Sequence, residues 1–392
     1  MKLDKKLILS MENLEYKSEK TMTNSSIEDI KKNLDILPIV LKWFQSINIE
    51  KLSINDNIVK IVLDEDILSV ENKFFLLDSK IDVLSKEVLL DINNLYLKDY
   101  NILFKGKAKI DYFDEELKYF GDIYYQDLIV SGNIDITKDR VNFFIKSEIF
   151  KNLHFLKKYL VLPEVANSWM YDNVTGDFKL NWFYGEFDLN KNKIIEKSLQ
   201  GDAVIENAKI RFENSLEEIN TSKVNVNFKN STLHFDLVDA IYKEKELKNS
   251  FVTIKDIANE NNGLVLVNIE AKTSLDKDIL GILEAYGIVV PVVQKNGETQ
   301  AKLLLSFPYA EDKPMSYNGV FIAEKSNISI SGFDFETNGA KVILENDLLY
   351  INDASFIYQD MVDAKANLKL DLKKKKIEGT SQINKILVKD SK

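Results

Sequence analysis

The chain is poor in the side chains that usually perform catalysis. His154 and His234 are its two histidines, so few positions can serve as a general base near neutral pH. His234 stands between Leu233 and Phe235. Alternation along a strand predicts that it points away from these neighbours, to the surface or to a groove edge. His154 falls in a predicted helix, where a packing role is expected. No G-x-S-x-G segment accompanies either histidine, so serine catalysis is not expected.

Carboxylate pairs are frequent, but their members are adjacent in sequence. Asp114 precedes Glu115, and Glu217 precedes Glu218, in segments that resemble turns. Glycosidases place two carboxyl groups on opposite sides of a cleft, whereas neighbours in a polar turn are both solvated. We therefore expect no catalytic residue and no enzyme. A carbohydrate-active enzyme built on a β-sandwich or β-solenoid is a minor alternative.

Metal and cofactor chemistry has no sequence motif in this chain. There is no cysteine, which excludes disulfides, thiolate catalysis and cysteine-ligated zinc. The chain also lacks a Walker loop, a G-x-G-x-x-G segment, an H-E-x-x-H motif and an EF-hand loop, the patterns that hold phosphates, zinc or calcium. We predict no metal site and no cofactor.

The charge balance argues against nucleic acid as a partner. The chain has 52 basic and 62 acidic residues, a net charge of −10, and a net-acidic protein gains little from a phosphate backbone. Arg140 and Arg211 are its only arginines, so bidentate phosphate recognition has few candidates. The lysine run at 373–376 is interpreted as a hairpin loop, with a contact to anionic lipid headgroups as the alternative.

Most of the chain alternates apolar and polar residues with a period of two. From Ile47 onward, stretches such as NIVKIVLD and SKVNVNFKN are dense in Ile, Val, Leu, Phe and Tyr. Turn residues interrupt them about every eight to twelve positions, a spacing typical of many short antiparallel strands. Hairpin turns are expected at 64–66 and 114–116.

Three segments instead show helical spacing, at 27–46, 151–170 and 275–286. We predict that Pro163 breaks the second helix and that Ser274 caps the third. Residues 1–26 are mixed and polar and are predicted to form an N-terminal tail.

The strands are predicted to join into one continuous sheet. Several are expected to begin with a glycine: Gly106, Gly132, Gly176, Gly201 and Gly319. No Ser/Gly-rich linker marks a sharp domain boundary, and so many strands exceed one small closed barrel. The predicted fold is mainly β, an elongated and strongly curved antiparallel sheet that forms a groove. Residues 27–200 and 201–392 would be two successive segments of it.

One face of the predicted sheet is apolar, and something must cover it. A second sheet or helices would make it a sealed core, whereas an open groove would suit acyl chains, which need apolar area and few hydrogen bonds. Periodicity leaves both possibilities open. The candidate residues for a lipid-lined groove are Val224, Val226, Phe228, Leu233, Phe235, Leu237, Leu303, Leu305 and Phe307.

Three longer stretches resemble a known family in strand order and landmark residues. They are LVLPEVANSWMYDNVTGDFKLNWF, the segment from GDAVIENAKIRF to FVTIKDI, and LVLVNIEAKTSLDKDILGILEAYGI followed by KLLLSFPY. Over roughly Ile47 to Tyr309 the chain resembles the AsmA-like proteins, in particular their YhdP-type branch. The resemblance implies a long β-groove with an apolar interior, an N-terminal anchor in the Gram-negative inner membrane, and passage of phospholipids toward the outer membrane. It implies no catalytic residues.

The chain departs from the family in being short and in showing no anchor. Charge returns at Glu12 soon after the apolar LILSM, so a secretory signal is not expected, and no run of about 18 apolar residues follows. The chain is therefore interpreted as a segment of a longer protein or as a truncated product.

From the resemblance we expect phospholipids as ligands and a periplasmic location. Inner-membrane anchoring would depend on a segment or partner proteins outside this sequence. The expected function is passive phospholipid transfer between the two membranes, in outer-membrane biogenesis. The alternative is a non-catalytic structural or interaction scaffold of the cell envelope.

Overall fold

A computed structural model describes residues 6–16, 43–54, 57–84, 87–111, 113–158, 162–257, 262–290, 292–310, 312–330 and 332–387. Within these ranges the protein is mainly β, with 29 strands and two α-helices, as the sequence predicts. The strands belong to one mixed sheet. The chain divides into two compact units, unit 1 (Met1–Phe150 and Lys179–Gly201) and unit 2 (Lys151–Phe178 and Asp202–Lys392).

Unit 1 is built from strands that follow one another along the chain. They are β1 (Leu7–Met11), β2 (Leu14–Tyr16), β3 (Phe44–Ile54), β4 (Asn57–Asp64), β5 (Ile67–Asn72), β6 (Phe75–Val83), β7 (Glu87–Leu97), β8 (Ile102–Asp111), β9 (Glu116–Tyr125), β10 (Leu128–Ile136), β11 (Arg140–Ser147), the part of β12 (Val174–Asp188) after Phe178, and β13 (Lys193–Ile194).

From β3 to β12 each strand pairs antiparallel with the next. Short turns make this possible, because Glu65, Asn101, Glu115 and Gln126 adopt positive φ angles between 51° and 58° that reverse the chain. The predicted turns at 64–66 and 114–116 are confirmed. β1 and β2 instead run parallel to β3, so residues 7–11 and 14–16 are strands rather than part of a polar tail.

Unit 2 contains the remaining strands. They are the start of β12, β14 (Gln200–Ile210) from Asp202 onward, β15 (Ile219–Lys229), β16 (Thr232–Val238), β17 (Ile241–Tyr242), β18 (Lys245–Glu246), β19 (Phe251–Lys255), β20 (Leu264–Thr273), β21 (Val292–Gln294), β22 (Thr299–Pro308), β23 (Ser316–Ala323), β24 (Ser326–Ile330), β25 (Phe333–Thr337), β26 (Ala340–Glu345), β27 (Leu348–Tyr358), β28 (Val362–Asp371) and β29 (Lys376–Ile386).

Antiparallel pairs connect these strands in the order β15–β16–β19–β20–β22–β23–β26–β27–β28–β29. Short hairpins branch from this order, among them β17–β18 and β24–β25. The predicted hairpin loop in the lysine run is present, since residues 372–375 form the turn between β28 and β29.

Both described α-helices lie in unit 2. Helix α1 (Glu164–Tyr171) follows a 3₁₀ turn (His154–Lys158), and Pro163 stands at its start rather than in its middle. Proline is tolerated there because the first helical N–H groups have no partner within the helix. The helical segment predicted at 151–170 with a break at Pro163 is therefore present, as a 3₁₀ turn before the proline and an α-helix after it.

Helix α2 (Lys277–Ala285) matches the segment predicted at 275–286. Its cap is Asp276 and not Ser274, because the Asp276 carboxylate accepts hydrogen bonds from the N–H groups of Asp278 and Ile279. The helix predicted at 27–46 lies mostly outside the described residues. Its last three residues, 44–46, belong to β3, so the prediction is wrong there.

The glycines predicted to begin strands lie inside them. Gly106 is the fifth residue of β8, Gly132 is the fifth of β10, and Gly319 is the fourth of β23. Gly176 and Gly201 are the third and second residues of β12 and β14. A glycine inside a strand marks a bend or a close approach of backbones, and the turns are made instead by polar residues with positive φ.

Candidate functional site

Unit 1 carries an apolar face that extends across its strands. Register partners share a face, and pairing aligns Leu9, Ile47, Leu63 and Leu68 in one row across β1, β3, β4 and β5. A second row follows further along the sheet, with Ile81, Leu90, Ala108, Tyr119, Ile134 and Phe143 from β6 to β11. The rows thus carry an apolar surface from strand to strand through the unit, although register shifts interrupt the alternation in β3 and β7.

The burial of this face is uneven. Two clusters of buried side chains lie on it, the first formed by Ile47, Ile49, Leu63, Ile81 and Val88 and the second by Ile92, Ala108 and Tyr119. Around them lie half-buried apolar residues, among them Leu90, Leu95, Phe104, Leu117, Ile123 and Ile134. Between strands β3 and β13, the described part of unit 1 holds no α-helix that could cover them.

Three glycines in register interrupt the apolar face. Gly106, Gly121 and Gly132 oppose one another across β8, β9 and β10. A Cβ added to Gly121 would lie 2.1 Å from Lys105 O, and one added to Gly106 would lie 2.3 Å from Phe120 O. Side chains cannot fit at such distances, so the close strand approach here requires glycine.

Tyr119 packs over these glycines. Its hydroxyl is within donor distance of two carbonyl oxygens, Lys105 O at 2.9 Å and Asp122 O at 3.0 Å. A Cβ at Gly121 would come within 2.7 Å of the same hydroxyl. Burial raises the pKa of Tyr119 to about 12, because desolvation disfavours the phenolate. Tyr119 is thus uncharged. Its ring lies on the apolar face, and its hydroxyl group is hydrogen-bonded to backbone carbonyl oxygens.

The opposite face of unit 1 is polar. It carries ion pairs, such as Lys109 of β8 with Glu87 of β7 at 2.6 Å and Lys80 of β6 with Asp66 of the β4–β5 turn at 2.8 Å. A cavity of about 390 Å³ opens on this face. Its lining combines charged and polar residues with five apolar ones, namely Asp91, Lys107, Lys109, Lys118, Asn133, Asp135, Leu89, Leu90, Ala108, Tyr119 and Phe120. The lysines and aspartates at this opening carry charges of both signs and therefore favour no anion.

In unit 2, pairing brings the sequence-predicted lining residues together. Val226 opposes Phe235, which opposes Val252. The row then continues through Val267 to Leu305. Adjacent rows contain Val224 with Leu237, and Phe228 with Leu233, Ile254, Val265 and Phe307. All these residues share one face of the sheet, as alternation predicts.

This face of unit 2 is packed under helices. Trp169 of α1 borders Val224, Phe235, Leu237 and Val252, and the space between them amounts to about 10 Å³, which leaves no room for an acyl chain. At the other end, the ring of Tyr286, directly after α2, lies 6.0 Å from that of Phe307. The Tyr286 hydroxyl donates to Phe212 O at 3.0 Å.

Contacts with the two helices limit the exposure of the nine predicted residues. Val224, Val226, Leu303 and Leu305 are buried, and Phe228, Leu233, Phe235, Leu237 and Phe307 are half-buried. Their role as lipid lining stays a prediction. The candidate lining residues predicted from the sequence all lie in unit 2, although the same alternation runs through β3 to β10. Strand periodicity indicates which residues share a face, but it does not indicate whether other residues cover that face.

The titratable candidates lie in ordinary surface contacts. His234 Nδ1 is 2.8 Å from Thr253 Oγ1, and its Nε2 is 3.0 Å from Asp236 Oδ1. His154 contacts Asp172, whose pKa is lowered mainly by a hydrogen bond from Lys157. These contacts stabilise the surface of unit 2.

The carboxylate pairs split into separate contacts. Glu217 pairs with Lys243 and Glu218 pairs with Arg211, while residues 114–115 form a turn. Within the described ranges, no cluster of three or more His, Asp or Glu side chains could hold a metal ion.

The protein is thus a β-protein with a large open sheet, few described helices and apolar surface along the sheet. A family model described as YhdP protein matches residues 151–389, which is more than half of the chain, and the chain belongs to this family. The match covers nearly all of unit 2. The comparisons with curated proteins and with solved structures found no match.

Membership has consequences for location and chemistry. The YhdP family is an AsmA-like family of the Gram-negative cell envelope. Its proteins are generally not enzymes. Among the helices that the structure describes, none is long and apolar enough to cross a membrane.

Proposed function

We propose that the protein binds phospholipids through their acyl chains on the apolar face of unit 1 and passes them passively between the inner and outer membranes. The observation that carries this proposal is the half-buried aliphatic face of β3 to β12. The family, which belongs to the cell envelope, supports the setting. No catalytic step is needed, because transfer would follow the lipid gradient.

The chemistry of the face suits an acyl chain. Burial of a methylene group contributes about 0.8 kcal/mol, and an aliphatic surface demands no hydrogen bond in return. The side chains around Ile92 and Tyr119 are aliphatic or aromatic, and the Tyr119 hydroxyl is already bonded to backbone. A zwitterionic or anionic headgroup would stay in water at the edge of the sheet, so the face would hold many lipids with little selectivity between headgroups.

Unit 2 is the weaker candidate for the lining. Its apolar face is occupied by Trp169 and Tyr286, so lipid would have to displace α1 or α2. The nine residues from Val224 to Phe307 are therefore proposed as a second lining, exposed only if the helices move. In the periplasm the protein would reach the inner membrane through an anchor or through partner proteins.

Site-specific photo-crosslinking tests the proposal. A benzophenone amino acid replaces Phe104, which lies half-buried on the apolar face, and in a matched control it replaces Phe120, which is 70% exposed on the polar face. A third variant carries it at Phe235 of unit 2. After irradiation in a Gram-negative host, the purified proteins are analysed by mass spectrometry for attached phospholipid.

Crosslinked lipid at Phe104 and not at Phe120 is the expected result. Lipid at Phe235 alone would move the lining to unit 2. Without lipid at any position, and without co-purifying lipid in native mass spectrometry, transfer would be rejected in favour of an envelope scaffold. The sealed packing of unit 2 is the observation that favours this second function.

A further inference from the structure

The polar face of unit 1 carries aromatic side chains on β9, β11 and β12. In register, Phe120 of β9 is followed by Asn133 of β10, Phe144 of β11 and Tyr184 of β12. Trp182 lies two positions before Tyr184 in the same strand and therefore on the same face. Phe120 is 70% exposed and Phe144 is 42% exposed. The four aromatic residues, called here the aromatic row, thus offer apolar area to a ligand on an otherwise polar face.

Contacts within unit 1 hold the rings of the aromatic row in place. The planes of Phe144 and Trp182 are nearly parallel, at 6° with ring centroids 6.4 Å apart, so their faces point the same way. The Tyr184 hydroxyl donates to Glu186 Oε1 at 2.8 Å, and Arg140 Nη1 donates to the other oxygen of this carboxylate at 2.9 Å. Rings that are already fixed lose little conformational entropy when a ligand binds.

Polar side chains border the aromatic row on both sides. One flanking row consists of Lys118, Asp135, Asn142 and Glu186. The other consists of Lys105, Asp122, Ser131 and Lys146. Each flanking row mixes lysines with carboxylates, so neither presents charge of a single sign. Ammonium, amide, hydroxyl and carboxylate groups supply hydrogen-bond donors and acceptors along both sides.

The cavity of about 390 Å³ opens at the β9 end of the aromatic row. Phe120, Asn133 and Asp135 belong both to these rows and to the lining of the cavity. In the described part of the chain, no side-chain hydrogen bond joins Asn133 or Asp135 to another residue. Both side chains therefore keep their hydrogen-bonding groups for a ligand.

We propose that this face binds an extended, uncharged glycan whose sugar rings stack on the aromatic row. A pyranose ring has an apolar face of C–H groups and a rim of hydroxyl groups. The aromatic rings pack against the apolar face, and the flanking rows bond to the hydroxyl groups on either side. The mixed charges of the flanking rows match a neutral ligand rather than an ion.

Other occupants fit this face less well. An acyl chain has no hydroxyl groups, so polar groups of the flanking rows that it covered would lose water without gaining a partner. A peptide cannot pair with β9, β10 or β11, because both edges of each of these strands are already paired.

The spacing of the rings indicates the shape of the glycan. One strand, β10, separates Phe120 from Phe144, which places the two positions roughly 9.5 Å apart. This is about the length of a disaccharide in an extended, β-linked glycan such as cellulose or chitin. Every second sugar would then meet a ring, and Asn133 would face the sugar between them. A coiled glycan such as amylose does not keep its sugars in line with a flat row.

Isothermal titration calorimetry with cellohexaose and with chitohexaose tests the proposal, and maltohexaose, which coils, is the control ligand. We expect binding of at least one of the two extended hexasaccharides. Phe144→Ala should weaken it about tenfold, the loss for one stacked ring. Phe113→Ala is the matched control, because Phe113 is 66% exposed but lies in the turn before β9; it should leave the affinity unchanged. Circular dichroism checks that both variants fold.

Trp182 supplies a second readout. Bound hexasaccharide should change the tryptophan fluorescence, and Trp182→Phe, which keeps an aromatic ring, should retain most of the binding but lose this change. Trp43 and Trp169, the other tryptophans, lie outside the aromatic row.

Three results would overturn the proposal. They are the absence of binding by both extended hexasaccharides, equal binding of maltohexaose, and an unchanged affinity of Phe144→Ala. Phospholipid crosslinked through a benzophenone at Phe120 would assign this face to acyl chains instead. Because the apolar face of unit 1 is on the other side of the sheet, loss of glycan binding in Phe144→Ala should leave lipid crosslinking at Phe104 unchanged.

Discussion

Leu305→Ala probes whether the face of unit 2 is a sealed core. Leu305 has no exposed surface and lies between Val267 of β20 and Tyr317 of β23 in register. Leucine to alanine at buried sites costs about 2 to 5 kcal/mol, from lost transfer energy and from the cavity that remains. Because hydrogen-bonded strands flank the site on both sides and limit its collapse, we expect a loss of about 3 kcal/mol in the free energy of unfolding.

Leu304→Ala is the matched control, because Leu304 occupies the same strand but the opposite face and is half-exposed. It should cost less than about 1 kcal/mol. Urea unfolding of the delipidated protein, followed by tryptophan fluorescence, measures both values. If Leu305→Ala cost no more than Leu304→Ala without lipid but more with it, lipid rather than protein would fill the space, and the assignment of a sealed core would be refuted.

Three further predictions concern single contacts. Tyr119→Phe removes the hydroxyl that donates to Lys105 O and should cost about 1 kcal/mol in unfolding experiments; an unchanged midpoint would mean that water replaces this donor. Asp276→Ala removes the cap of α2 and should also cost about 1 kcal/mol, whereas Ser274→Ala, at the position first expected to cap, should be neutral. Hydrogen bonds from Lys245 lower the pKa of Asp278 below 3.8, so its ionised form stabilises the fold above that pH and the contribution disappears as the pH falls further. Acid titration of Asp278→Asn should therefore show a weaker loss of stability below pH 3.8 than the unchanged protein, and parallel curves would contradict this.

Alternation was sufficient to predict the strands and the shared face of residues such as Val226 and Leu305. It could not predict what covers that face, because Trp169 reaches it from a helix more than 50 positions earlier in the sequence. The cap of α2 was misplaced for a local reason. Ser274 and Asp276 are both good caps, and backbone geometry, which composition does not reveal, decides between them.

The glycines were misread because their role depends on neighbours in space. Gly106 and Gly121 are needed where two strands approach closely, and this requirement exists only once the register is fixed. Residues 44–46 were assigned to a helix from apolar spacing, but their pairing with β1 and β4 overrides that local preference. Both errors arise from long-range contacts.

The succession of strands in unit 1 also bears on how the chain acquires its structure. From β3 to β11 every strand pairs with its immediate successor, so the contacts in this part are close in sequence. Short-range contacts require little loop closure and favour rapid folding. Each new hairpin can join the growing edge as soon as it leaves the ribosome. The parallel pairing of Leu7 with Phe44 is the exception. It needs a longer loop to close, so the attachment of β1 should be a later event than the formation of the hairpins that follow it.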